Sequence, residues 1–104
     1  MITVLDMLQK CQGAAVPRRV LASECGMSDR RVRKEIERLR MAGVFIANNQ
    51  DGSGYKLIAE DDHAGLCEQY RQMRKRALNI LKQTTPLRRA IKKIEKETYN
   101  GNTQ

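Results

Sequence analysis

The segment SDRRVRKEIERLRM, residues 28–41, has the pattern of an amphipathic helix with one apolar side and one basic side. Val32, Ile36 and Leu39 recur at steps of four and three, so they predict a stripe that faces a core. Ser28 precedes the first turn, where its hydroxyl can accept a hydrogen bond from a free backbone N–H. The rest of the helix surface is charged and carries Arg30, Arg31, Arg33, Lys34, Glu37 and Arg38. Such a face is either a solvated surface or a surface for an anionic partner.

Composition limits the classes of protein to which the chain can belong. It has 104 residues, a net charge of +8 and 31% charged residues, but only 4% aromatic residues and no Trp. This balance favours a small, mainly helical protein over a large β-sandwich. Residues 1–59 and 60–104 each carry ten basic and six acidic side chains, so neither part is merely a basic tail. The positive charge suits nucleic acid or an anionic membrane surface.

Several other functions are not expected from the sequence. Cys11, Cys25 and Cys67 form no C-x-x-C motif, and His63 is the one histidine. We therefore expect no disulfide framework, no metal site and no cofactor. No apolar run approaches the roughly 18 residues of a membrane span, and the N-terminus lacks the basic region of a signal peptide, so we expect a cytoplasmic protein. With no Ser/His/Asp set and no P-loop, we expect no enzyme.

Two shorter helices are predicted before the basic helix. Thr3 and Asp6 have the spacing of a capping box, which predicts a helix over residues 3–11. Pro17 is expected to open a second helix, because the first helical position needs no backbone N–H. Gly26 is expected to end it with a positive φ. The second and basic helices are then joined by a turn of about three residues that contains glycine, which is typical of a helix-turn-helix.

A β-hairpin is predicted after the basic helix. The segments VFI (44–46) and YKLI (55–58) have the composition of short strands, and the loop NNQDGSG (48–54) between them is rich in turn-forming residues. We expect Tyr55 and Leu57 on one face of the second strand and Lys56 on the other. A hairpin that follows such a helix is a wing.

The C-terminal part, residues 60–104, is predicted to be a basic helical unit. A long helix is expected over about 62–82 and a second over about 86–98, because Thr85 and Pro86 have the pattern of a helix start. A narrow apolar seam with coiled-coil spacing runs along the long helix and consists of Leu66, Tyr70, Met73, Ala77 and Ile80. We expect this seam to form a homodimer or to bind a protein partner. The alternatives are packing against the winged helix of the same chain or against the last helix.

The order of these features points to a known family. The residues that carry it are Leu21-Ala22, Gly26-Met27-Ser28, Val32, Ile36, Leu39, Gly43 and Gly54-Tyr55-Lys56-Leu57. In this order they resemble the winged helix-turn-helix of the biotin-ligase repressor N-terminal domain and its DeoR-like relatives. The resemblance implies a mainly α fold with a small β-hairpin wing over residues 1–59, followed here by two C-terminal helices. It also implies that the basic helix enters the DNA major groove while the wing contacts the backbone or the minor groove.

Nine side chains become candidates for contact with double-stranded DNA. Arg30, Arg33 and Lys34 are the base-reading candidates, because Arg can bond bidentately to guanine O6 and N7. Phosphate contacts are expected from Arg18, Arg19, Arg31 and Arg38. Lys56 is the candidate in the wing, whose tip contains Asp51 and no Lys or Arg, and Ser28 completes the set as the helix cap.

We expect a sequence-specific regulator of transcription, such as a repressor, in the manner of short regulators of phages and mobile elements. Two alternatives stay open. One is a non-enzymatic phage or mobile-element protein that binds or inhibits a protein partner. The other is an architectural cofactor of recombination or replication, which would bind DNA weakly, without sequence preference and with a steep dependence on salt.

Overall fold

The computed structural model of the chain describes residues 2–49 and 52–102. Within these residues the fold is mainly helical, with one antiparallel hairpin. The elements in chain order are α1 (Val4–Lys10), α2 (Arg18–Cys25), α3 (Asp29–Met41), β1 (Ile46–Asn49), β2 (Gly54–Leu57) and α4 (His63–Asn102). The chain divides into two units between Gln69 and Tyr70, within α4, whereas the sequence places the division at 59/60. Of the predicted hairpin tip, Gln50 and Asp51 lie outside the described residues.

The start of α1 is determined by its first four residues. The Thr3 hydroxyl accepts a hydrogen bond from the Asp6 backbone N–H at 3.1 Å, and the Asp6 carboxylate accepts one from the Thr3 N–H at 3.0 Å. The hydrogen bond from the Thr3 backbone lowers the pKa of Asp6. The predicted capping box is therefore confirmed, and two donors that the helix leaves free are satisfied locally.

A tight turn joins α2 to α3. Gly26 ends α2 with a φ of 61°, a left-handed conformation that favours glycine. The Met27 N–H then donates to the Ala22 carbonyl, five residues earlier, at 2.9 Å. This is the wider of the two backbone hydrogen-bonded turns that define a Schellman motif. The next residue, Ser28, already caps α3, because its hydroxyl accepts from the Arg31 N–H at 3.2 Å. The predicted end of α2 and start of α3 are confirmed.

The first strand begins later than the sequence indicates. Gly43 has a φ of 94° and ends α3, and the N–H of Val44 donates back to the Leu39 carbonyl at 3.0 Å. This second Schellman ending uses the backbone of Val44 and so removes it from the sheet. The predicted strand at 44–46 is therefore shifted, and β1 starts at Ile46.

The hairpin is extended by one bridge to the segment before α2. In the hairpin, Ile46 pairs with Leu57 and Asn49 with Gly54. Tyr55 uses its other backbone edge for Val16: the Val16 N–H donates to the Tyr55 carbonyl at 2.7 Å, and the Tyr55 N–H donates to the Val16 carbonyl at 2.9 Å. This bridge attaches the hairpin to the entrance of α2. Pro17, which follows, is the N-cap of α2 and not its first helical residue, so α2 begins one residue later than expected.

One apolar core is shared by the first three helices and the hairpin. Its largest fully buried side chains are Leu8, Leu21, Ile36, Ile46, Val4 and Val32. Tyr55 is also buried, as expected for the base of a hairpin. Cys25 lies in the same core, where burial raises the pKa of its thiol. Each buried side-chain nitrogen or oxygen among the described residues has a hydrogen-bond partner.

The C-terminal region contains one helix rather than two. The predicted break between 82 and 86 is wrong, because α4 continues through Pro86. A proline inside a helix removes one hydrogen bond and costs about 3 kcal/mol relative to Ala, but it does not forbid the helix. Leu81 and Lys82 precede it and Leu87, Arg88 and Arg89 follow it, and all of these residue types favour helix. Just before it, the Thr84 hydroxyl donates to the carbonyl of Leu81, a backbone oxygen of the preceding turn, at 2.6 Å.

Candidate nucleic-acid interface

The core determines which side of α3 faces solvent. Val32 and Ile36 are 0% and 1% exposed, and they hold one side of the helix against α1 and α2. The opposite side therefore points outward, and Arg30, Lys34 and Glu37 on it are all exposed. The Ser28 cap places the start of this face at the turn that follows α2. A convex, mainly basic helix surface is the result.

Asp29 links the start of α3 to the start of α2. Its carboxylate accepts a hydrogen bond from Arg18 Nε at 2.5 Å and another from Arg33 Nη2 at 2.9 Å. Desolvation raises the pKa of Asp29, but the hydrogen bonds from Arg18 and Arg33 outweigh it and hold this pKa below its usual range. The same bond to Asp29, with a further one to Tyr55, raises the pKa of Arg18. Two predicted DNA-contacting residues are thus already paired.

A second ion pair lies further along α3. Arg38 Nε donates to the two carboxylate oxygens of Glu35 at 3.1 and 3.2 Å, and its Nη2 also donates to Glu35. The hydrogen bond from Arg38 lowers the pKa of Glu35, although desolvation opposes the change. The Arg38 side chain remains 65% exposed, so it is paired but accessible.

The remaining cations of the predicted site are not paired. They are Arg19, Arg30, Arg31, Lys34 and Lys56, and within residues 2–49 and 52–102 none of them forms an ion pair. The first four are exposed, and Lys56 on β2 is half-buried. No carboxylate of the described residues lies within ion-pair distance of them, although the charge of Arg31 acts on Glu35 and helps to lower the pKa of that carboxyl. The structure separates the nine predicted residues into five unpaired cations, three paired arginines and the cap Ser28.

Sequence reasoning missed two residues that position this surface. Asp29 was not singled out, although its spacing of four from Arg33 is a visible signal for an ion pair. Its contact with Arg18, eleven positions earlier, exists only after α2 and α3 have packed. Arg40 was also missed. It donates from Nε and Nη2 to the Ile46 carbonyl at 3.2 and 3.0 Å, which ties the end of α3 to β1.

The predicted seam on α4 is mostly uncovered. Leu66 is half-buried, whereas Tyr70, Met73, Ala77 and Ile80 are exposed. Because α4 is continuous, packing of this seam against a separate last helix does not occur.

The described residues contain neither a candidate membrane span nor a candidate metal site. No helix in residues 2–49 and 52–102 combines the length and apolarity that crossing a membrane needs. No group of His, Cys, Asp and Glu in these residues could hold a metal ion. His63 Nε2 and Cys67 Sγ lie 3.5 Å apart one turn along α4, but these two side chains alone do not make such a group.

No protein-family model matches the chain, and neither a curated protein nor a solved structure was found to match it.

Proposed function

We propose that the chain is a sequence-specific, double-stranded-DNA-binding regulator of transcription, of the winged helix-turn-helix type, that acts as a homodimer. In this proposal α3 is the recognition helix in the major groove, and the hairpin of β1 and β2 is the wing. The three-residue turn from Gly26 to Ser28 supports it, because a helix-turn-helix needs a short connection that contains glycine. The attachment of the hairpin to Val16 supports it too, since this bridge holds the wing beside α2.

The observation that carries the proposal is the set of unpaired cations in the first half of α3. Arg30 and Lys34 are one turn apart on the face opposite the core, and Arg31 lies beside them. In a helix-turn-helix the first residues of the recognition helix contact base edges, so these side chains are in the expected place. Local pairing of the kind that Arg38 and Glu35 show would have left these cations less free to contact an anionic partner. Arg30 and Lys34 are therefore assigned to base contacts and Arg31 to a phosphate.

The pairing with Asp29 moves Arg33 from the base-reading candidates to the phosphate contacts, and it keeps Arg18 among the latter. Arg18 and Arg33 are 42% and 56% exposed, and ion pairs at such exposure contribute little to stability. A DNA phosphate can therefore compete with Asp29 for either guanidinium, while the pair keeps both side chains ordered beforehand. We assign both residues to phosphate contacts that position α3, with Arg19 beside Arg18 at the start of α2.

The test measures specificity rather than affinity alone. A preferred duplex is selected from a random library, and its affinity is compared with that of random duplex by fluorescence anisotropy at several salt concentrations. We expect the wild type to prefer the selected duplex by about 10³-fold or more. The Arg30→Ala/Lys34→Ala variant should lose about 30-fold or more of this ratio, because two base contacts of about 1–3 kcal/mol each amount to at least about 2 kcal/mol.

The matched control is Lys92→Ala/Lys93→Ala, which also removes two positive charges, but from α4 and not from α3. It should weaken binding to both duplexes equally, if at all, and leave their ratio unchanged. An unchanged ratio in the Arg30→Ala/Lys34→Ala variant would refute the assignment of these residues. Wild-type binding that is equal for all duplexes and disappears steeply with salt would replace the regulator by an architectural DNA-binding protein.

A further inference from the structure

The apolar pattern of α4 continues far beyond the predicted seam, and it does so only because the helix is continuous. From Leu66 onward the steps of four and three pass through Thr84 and Leu87 without a break. In heptad notation the d positions are Leu66, Met73, Ile80, Leu87 and Ile94. The a positions are Tyr70, Ala77, Thr84, Ile91 and Thr98. Pro86 falls at a c position, on the outside of such a repeat.

This stripe is uncovered in the single chain. Met73, Ile80, Leu87, Ile91 and Ile94 are between 44% and 65% exposed. A helix in water is stabilised chiefly by packing of its apolar face, and a proline in its interior makes this need greater. The repeat therefore calls for a partner helix with the same spacing. A second copy of the chain supplies one.

The charges that flank the stripe change sign along the helix. The first e and g positions of α4 are the uncharged Cys67 and Gln69, and the next two are Arg74 and Arg76. The equivalent positions near the end of the helix are Glu95 and Glu97. The flanking positions between them are Leu81, Gln83, Arg88 and Ala90. In coiled coils the e and g residues determine which partner binds and in which direction. Here opposite charges lie at opposite ends of the same helix.

We propose that α4 forms an antiparallel coiled coil with α4 of a second copy, in the register that pairs Arg74 with Glu95 and Arg76 with Glu97. In an antiparallel pair, a positions pack against d positions, e faces e, and g faces g. This register places Ala77 against Ile94 of the second copy, Ile80 against Ile91, and Thr84 against Leu87. By symmetry each contact occurs twice, so four Arg–Glu pairs flank one apolar seam. The two-fold axis passes near residues 85 and 86.

Other arrangements lose this complementarity. In a parallel pair, g of one helix faces the following e of the other, so Arg76 meets Leu81 and Glu95 meets Ala90. No Arg–Glu pair forms in that arrangement. Shifting the antiparallel pair by one heptad moves Arg74 opposite Arg88 in one direction, and brings two copies of Arg88 together in the other. Only the proposed register pairs the charges of both ends.

The experiment exchanges the charges at one end at a time. Sedimentation equilibrium gives the mass of the full chain, of Arg74→Glu/Arg76→Glu, of Glu95→Arg/Glu97→Arg and of an equimolar mixture of the two variants. We expect a wild-type dimer and about 100-fold weaker association of each variant alone, since four surface pairs change from attraction to repulsion. The mixture should be dimeric again. The acidic side chains introduced at positions 74 and 76 of one variant then face the basic side chains introduced at positions 95 and 97 of the other. The control Lys75→Glu/Arg89→Glu reverses two charges at f positions, away from the partner, and should remain dimeric.

Each possible result bears on the inference. Recovery of the dimer in the mixture supports the antiparallel register and also shows that the variants are not simply unfolded. Variants that stay dimeric alone, or a mixture that stays monomeric, would overturn the register. A monomeric wild type would overturn the dimer as well. The inference rests on the homodimer in the proposed function, but its readout involves no DNA. If the wild type showed no sequence-specific DNA binding but the mixture of variants recovered the dimer, the regulator would be refuted and the coiled coil would stand.

Discussion

Gly54 is the position where one added methyl group should have the largest effect on the N-terminal unit. It has a φ of 112°, and a Cβ built on it would lie 2.0 Å from the Val16 carbonyl oxygen and 2.6 Å from the Pro17 Cα. Both neighbours are backbone atoms, so no side chain can rotate away. In a Gly54→Ala variant the bridge between Val16 and Tyr55 must open.

The expected cost follows from these contacts. Opening the bridge removes two backbone hydrogen bonds, each with a net value of about 1 kcal/mol. The φ of residue 54 adds strain of about 1–3 kcal/mol for a residue with a side chain. The free energy of unfolding should therefore fall by about 3–5 kcal/mol, a large part of the stability of a small domain. The matched control is Gly52→Ala in the same hairpin, where φ is 83° but a Cβ would meet no atom within 4 Å. Gly52→Ala should therefore lower the free energy of unfolding only by the strain of the positive φ.

Urea unfolding should be followed by the amide NMR signals of α1, α2 and α3. Circular dichroism is less suitable, because the long α4 contributes much of the helical signal. The bridge predicts that Gly54→Ala is at least about 2 kcal/mol less stable than Gly52→Ala, the value of its two hydrogen bonds. Equal unfolding midpoints and slopes for the two variants would refute this reasoning and show that the hairpin does not depend on the bridge.

Three further changes test the local interactions. The pKa of Asp29 is held below its ordinary value of 3.8, so its contribution to stability is present above that value and is lost as the pH falls through the lowered pKa. As the pH is lowered from about 5 to about 2, the unfolding midpoint of the wild type should therefore fall more than that of Asp29→Asn. Parallel curves of midpoint against pH for the two proteins would contradict this. Ser28→Ala should destabilise the fold by about 1 kcal/mol in urea titrations, while Ser23→Ala, at an exposed position of α2, should have almost no effect. Pro86→Ala should raise the thermal midpoint of α4 helicity, because it restores a hydrogen bond and removes a cost of about 3 kcal/mol. An unchanged or lower midpoint would show that Pro86 does not carry this cost here.

Short-range chemistry made much of the N-terminal unit predictable. The Thr3–Asp6 capping box, the left-handed Gly26 and the Ser28 cap depend on residues within one or two turns, and all three are confirmed. The stripe of Val32, Ile36 and Leu39 predicted the buried side of α3 for the same reason, since its period is a property of the helix itself. The helical class and the hairpin follow from such signals.

The sequence by itself thus determined where helices begin and which of their sides are apolar, because caps and periodicity act over a few residues. The tertiary structure decided what depends on atoms distant in the chain. Arg18 is paired because packing brings it to Asp29, and Gly54 is required because the backbone of Val16 approaches it. Pro86 stays helical although its local signal indicates a helix start, since that signal competes with the helix propensity of the residues on either side. The helix around Pro86 is exposed, so the balance there lies between local preferences, whereas the contacts of Arg18 and Gly54 exist only in the folded unit.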